Sequence, residues 1–103
     1  MKLRGKQKRF LRSEAHHMSP MVQIGKNGIS ETLLDQVDEL LERRELIKVN
    51  LLQNTDEEAT EVAGIFEETL HCEVVQIIGR ILVVYRASSK EKFQKYSKQV
   101  QSV

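Results

Sequence analysis

The sequence predicts an α/β domain of two layers, with the element order αβαβαββ and a four-stranded mixed sheet. Three observations carry that expectation. Segments with apolar residues at helical spacing alternate with segments whose apolar residues recur at every second position. The last two apolar runs, 73–78 and 81–87, are separated only by Gly79 and Arg80, the spacing of a two-residue hairpin. The length, 103 residues, suits one domain with one modest core.

Residues 4–18 form the first expected helix. Leu3, Gln7, Phe10, Leu11, Ala15 and Met18 make one stripe, and Ser19-Pro20 ends it. A short strand follows at 21–25. Ser30 is placed to cap a helix over 31–44, where Leu33, Leu34, Val37, Leu40 and Leu41 make a buried stripe. Residues 45–52 alternate as a strand, with Ile47, Val49 and Leu51 facing one way and Lys48 and Asn50 the other. Thr55 or Asp56 is expected to cap a third helix over 56–71, which buries Ala59, Val62, Ala63, Phe66 and Leu70. The domain is drawn as 1–88. Residues 89–103 are a basic tail or a short helix, since Ser88 and Glu91 resemble a capping box.

The stretch Val22-Gln23-Ile24-Gly25-Lys26-Asn27-Gly28-Ile29-Ser30 runs from strand through turn to helix. Two glycines let the backbone take positive φ and approach another molecule closely. Successive amides in such a turn suit a phosphate, and Lys26 adds a cation at the tip. Against this stands the plain reading that Asn-Gly is a common turn dipeptide. Glu31, one residue into the helix, would compete with a phosphate bound there.

The net charge of +1 conceals a pattern. Residues 1–28 carry seven basic residues against Glu14 alone. Residues 29–73 carry three basic residues against thirteen acidic ones, and residues 74–103 carry six basic residues against Glu91. If the two basic ends meet in the fold, the domain has a basic face and an acidic face, which points to a polyanion. The plain alternative is that these charges solvate exposed helices. The single cysteine, Cys72, excludes an intramolecular disulfide and reads as a small buried residue, not a nucleophile. Met1 to Arg12 lacks a secretory apolar core, and the run 74–85 is too short and polar for a membrane span, so a cytoplasmic location is expected. His16 and His17 diverge by about 100° on a helix and share no metal. No metal, cofactor or catalytic residue is expected. The glycine loop lacks P-loop spacing, and His71 and Cys72 are only sequence neighbours.

Four segments in this order and spacing resemble a known family. They are Lys8-Arg9-Phe10-Leu11-Arg12 with Ala15-His16, the Pro20 to Gly28 stretch, Glu45-Leu46-Ile47-Lys48-Val49, and the hairpin Val75 to Arg86. The chain resembles the CRM domain (chloroplast RNA splicing and ribosome maturation) in its bacterial single-domain YhbY-type form, over about residues 1–88. The resemblance implies a fold similar to the C-terminal domain of translation initiation factor three. It further implies RNA binding, with bacterial members associating with precursors of the large ribosomal subunit. Gly25-Lys26-Asn27-Gly28 matches the family's GxxG loop, similar to the loop with which KH domains clamp a nucleic-acid backbone.

The expected function is therefore that of an RNA-binding assembly factor for the large subunit, acting on ribosomal RNA as a monomer. The candidate RNA contacts are Gly25, Lys26, Asn27 and Gly28, then Lys6, Lys8, Arg9, Arg12 and His16, with Arg80 and Arg86 extending the surface. Recognition by charge and shape is expected, since few aromatic residues are free to stack. The alternative is a protein-interaction module that docks a basic ribosomal protein on its acidic helical face.

Overall fold

The structure, a computed structural model, describes residues 2–103. The elements are α1 (Gly5–Ala15), β1 (Val22–Ile24), α2 (Glu31–Arg44), β2 (Leu46–Leu51), α3 (Ala59–Leu70), β3 (Glu73–Ile78), β4 (Ile81–Tyr85), a 3-10 turn (Glu91–Phe93) and α4 (Tyr96–Val100). The expected αβαβαββ order and mixed sheet are present. Strand order is β1-β2-β4-β3. β1 pairs parallel with β2, with Val22 opposite Val49 and Ile24 opposite Leu51. β4 lies antiparallel between β2 and β3, so β2 and β3 do not touch as neighbours.

Alternation along each strand separates two apolar clusters. Ile47, Val49, Leu51, Leu82 and Val84 face α2 and α3, where Val37, Leu41, Val62 and Phe66 are fully buried. Each such side chain contributes about 1.5–3 kcal/mol by leaving water. Leu46, Val75, Val83 and Tyr85 face the other way, against Leu3, Leu11, Ala15 and Val100. The expected two layers are thus joined by a partial third, made of α1 and α4. The physical reason is visible in β4: Leu82 to Tyr85 is apolar at every position and buried at every position, as a strand covered on both faces must be.

α3 starts at Ala59, three residues later than the expected 56. The Thr55 hydroxyl accepts from the Glu57 amide at 3.3 Å, and the Thr55 amide donates to the Leu52 carbonyl at 3.2 Å. These local bonds hold 52–58 as a loop in place of a first helical turn.

The helix α2 ends at Glu45, which adopts φ of +66°. A β-carbon is strained there, and glycine is the usual occupant. Its carboxylate is fully buried. Oε2 accepts from the Ser88 amide at 2.7 Å, and Oε1 accepts from the amides of Lys95, Tyr96 and Ser97 at 2.8, 2.8 and 3.1 Å. The segment after β4 is therefore pinned to the domain. Gln7 then joins it to α1, accepting from the Arg4 amide at 2.8 Å and donating to the Val100 carbonyl at 3.1 Å.

Burial by itself would raise the Glu45 carboxyl pKa, but hydrogen bonds from Ser97 and from the amides of Ser88 and Lys95 outweigh it and hold the value below the ordinary 4.5. This carboxylate stabilises the fold fully above that ordinary value, and the contribution disappears as pH falls through the depressed one. Glu45→Gln should cost about 2–3 kcal/mol at neutral pH, since amides buried around a charge lose half of its acceptors. Urea titrations across pH 3 to 7 check this (roughly the window around a carboxylate): the variant should show a flatter acid limb than the parent chain.

Candidate nucleic-acid interface

The loop between β1 and α2 is a tight turn closed by the Gly28 amide on the Gly25 carbonyl at 3.0 Å. Among the described residues, the amides of Lys26 and Asn27 make no hydrogen bond. Both side chains are exposed. Ser30 caps α2, accepting from the Leu33 amide at 3.1 Å. The loop and the first turns of α2 border a concavity of about 470 Å³, lined by Gln23, Gly25, Lys26, Gly28, Thr32 and Gln36 among others. A helix N-terminus behind free amides and one lysine is a setting that favours an anion. Glu31 is exposed and does not line the concavity.

The two glycines are not equivalent. Gly28 has φ of +62°, and a β-carbon there would stand 2.5 Å from Glu57 Oε2. Gly25 has no such φ, and a β-carbon would meet Asn54 Oδ1 and Leu52 Cδ1 at 3.4 Å, an ordinary contact. Glu57, on the loop 52–58, thus places a carboxylate directly against the turn. Periodicity put it in the first turn of a helix; only the path of that loop brings it under Gly28.

A second concavity, of about 390 Å³, lies between the outer face of α1 and the uncovered part of the sheet. Arg9, Arg12 and His16 reach it from one stripe of α1, spaced three and four residues apart. Lys48 and Gln76 reach it from β2 and β3. No acidic residue lines it among the described residues. The Lys48 ammonium donates to the Met18 carbonyl at 3.0 Å, tying the end of α1 to the sheet. Gln23 lines the first concavity and pairs with Asn50, so it shares a sheet face with Lys48 of the second, while Thr32, Leu33 and Gln36 of α2 form the other side of the first.

The other candidate residues divide. Lys6 is exposed on α1, away from the groove lining. Lys8 forms an ion pair with Glu73 at 3.5 Å. Arg80 sits at the hairpin tip as expected, but its Nε donates to the Leu51 carbonyl at 2.9 Å and its Nη2 to the Leu52 carbonyl. Arg86 lies on the opposite side of the molecule. Its guanidinium donates to Asp38 Oδ1 at 2.6 Å, to the Asp38 carbonyl at 3.0 Å and to the Leu70 carbonyl at 3.0 Å. Arg80 and Arg86 therefore fasten the fold; Lys6, Lys8, Arg9, Arg12 and His16 lie on α1 or at its end, and Lys26 stands apart on its loop. Asp38 and Glu42, which meet Arg86, belong to the acidic face. Hydrogen bonds from Ser89, and then the charge of Arg86, hold the Glu42 carboxyl below its ordinary range.

The Cys72 thiol is pushed up to about 12 by burial and by the charge of Glu67, so it stays protonated and is a poor nucleophile at neutral pH. Among the described residues, no group of three or more His, Cys, Asp or Glu is placed to hold a metal ion. Among the described residues, no helix is long and apolar enough to cross a membrane.

Fold and loop together define a class: a single-sheet α/β module with a glycine-bracketed turn between its first strand and the helix that follows. The chain belongs to the CRS1/YhbY (CRM) domain family, whose profile matches residues 3–86. It is 47% identical over 90 residues to a Bacillus subtilis protein named probable RNA-binding protein YqeI, covering 87% of this chain and 94% of that one. A Haemophilus influenzae protein named RNA-binding protein is 42% identical over 91 residues, covering 86% of this chain and 90% of that one. A solution structure from Staphylococcus aureus, titled as that of a candidate RNA-binding protein, superposes with a TM-score of 0.74 at 48% identity. That match covers 91% of this chain and 98% of the other.

The turn makes a direct prediction. Gly28→Ala should destabilise the domain by about 1–2 kcal/mol from positive φ alone, with a further loss from the Glu57 contact. Adding Glu57→Ala should recover the contact part and leave the φ part, as read by urea midpoints of the two variants and the parent.

Proposed function

We propose that this protein binds structured RNA through the α1 groove and the GxxG loop, and that it acts in the cytoplasm as an assembly factor on precursor large ribosomal subunits. The observation that carries the reading is the sorting of charge. Arg9, Arg12 and Lys48 border a groove without a carboxylate, on the sheet face that leads to Gln23 and the loop. The names of the relatives support the RNA-binding part of it. In this reading Lys26 and the free amides of Lys26 and Asn27 hold a phosphate, and Arg9, Arg12 and His16 hold further backbone. Lys6 and Lys8 contribute long-range attraction, which is screened by salt over about 8–10 Å. Arg80 and Arg86 serve the fold. Phosphate contacts set position, while RNA shape and 2′-hydroxyls set preference.

The acidic face supports a second, compatible reading. α2 exposes Glu31, Asp35 and Glu39 opposite the groove's charge, a surface suited to a basic ribosomal protein. Capture of such a protein that survives nuclease treatment would favour it.

The test is a salt series with fragments of large-subunit ribosomal RNA. Each phosphate neutralised contributes about −0.7 to −0.9 to the log–log slope. Lys26→Glu should weaken binding and flatten that slope by about one such unit, whereas Arg86→Ala should lower stability and leave the slope unchanged. Glu57→Gln should strengthen binding severalfold, because it removes a negative charge beside the loop. If Lys26→Glu leaves both affinity and slope at the parent values, the loop does not hold phosphate.

A further inference from the structure

The groove between α1 and the sheet has a chemistry that backbone binding does not require. Resting on the RNA-binding reading, we propose that it receives one unpaired nucleobase, so that the protein holds single-stranded RNA by a base as well as by phosphates. Three properties of the groove carry this.

The first is its walls. His16 and His17 present imidazoles whose ring centroids are 5.1 Å apart at 79°, and Arg9 and Arg12 present guanidinium planes. Imidazole and guanidinium faces are surfaces on which unstacked bases settle. The second is its floor. Ile78 is 52% exposed, the largest exposure among the big apolar side chains of the described residues, and it lies beside buried Val83. A large apolar side chain left open inside a basic groove suits a flat ligand with a nonpolar face. The third is the polar edge. Gln76 offers an amide donor and acceptor, and Lys48 a cation, at the same wall of the sheet.

Size and charge agree. The groove holds about 390 Å³, within the range of pockets that take nucleotide-sized ligands. Its cations and missing carboxylates argue for a base that arrives on a phosphate chain and against an apolar peptide. A base stacked within a duplex cannot reach Ile78, so the groove selects unpaired segments of a folded RNA.

Fluorescence anisotropy with three RNA probes of about ten nucleotides tests this, a length within the usual site sizes of single-strand binders. The probes are a single strand, the same strand in a duplex, and an abasic strand with the same sugar–phosphate backbone. The single strand should bind about tenfold or more tighter than the abasic one. Ile78→Ala and Gln76→Ala should each weaken the intact strand about fivefold or more, the scale of one base contact, and leave the abasic strand unchanged. Lys26→Glu should weaken all three probes. Equal affinity for intact and abasic strands overturns the base pocket, and if Lys26→Glu still weakens both, the RNA-binding reading stands without it. No binding of any probe at low salt overturns both. Ile78 is exposed, so Ile78→Ala should keep the parent melting temperature. If Gln76→Ala melts early, Ile78→Ala decides.

Discussion

One buried carboxylate holds the three layers of this domain together. Glu45 ends α2, begins the turn into β2 and accepts amides from Ser88 and from the first turn of α4. A buried charge is tolerated only when hydrogen bonds replace its water, and here four amides do so. The same residue is held at positive φ, a position where glycine would be easier. Glycine would relieve the backbone and leave those amides without an acceptor. The balance falls to the carboxylate because unpaired buried amides cost more than one strained residue.

What Glu45 fixes is the placement of α1. The helix α4 covers α1 through Gln7 and Val100, and α1 carries Arg9, Arg12 and His16. A segment outside the family match therefore sets the posture of the helix that forms one wall of the groove. The groove itself exists because α1 and α4 cover only part of that sheet face. Leu46, Val75, Val83 and Tyr85 are covered, while Lys48, Gln76 and Ile78 are left to line the opening.

Charge segregation follows from the same layering. α2 and α3 bury their apolar stripes on one sheet face and turn their carboxylates outward. Arg86 sits among these carboxylates, satisfied by Asp38 and by the Leu70 carbonyl. It neutralises part of the acidic face and adds nothing to the groove side. The exception runs the other way: Glu57 brings a negative charge against Gly28, at the edge of the loop concavity.

Much of this was legible in the residues alone. Local periodicity specified the element order, because apolar spacing reports which face of a helix or strand leaves water. Ser30, the glycine turn and the two-residue hairpin are local signals, and each is where the sequence placed it. The basic groups of α1 were visible for the same reason. Tertiary structure alone decided the rest. It gave α1 and α4 their place on the second sheet face, since an all-apolar β4 shows that both faces are covered and leaves open what covers them. It bonded Arg80 and Arg86 to the fold, because their carbonyl and carboxylate partners lie 16 to 48 residues away in the chain. It brought Glu57 to Gly28 and Glu45 to the amides beyond Ser88. Such contacts depend on where distant loops meet, and that is a property of the packed chain, which no spacing within a single segment encodes.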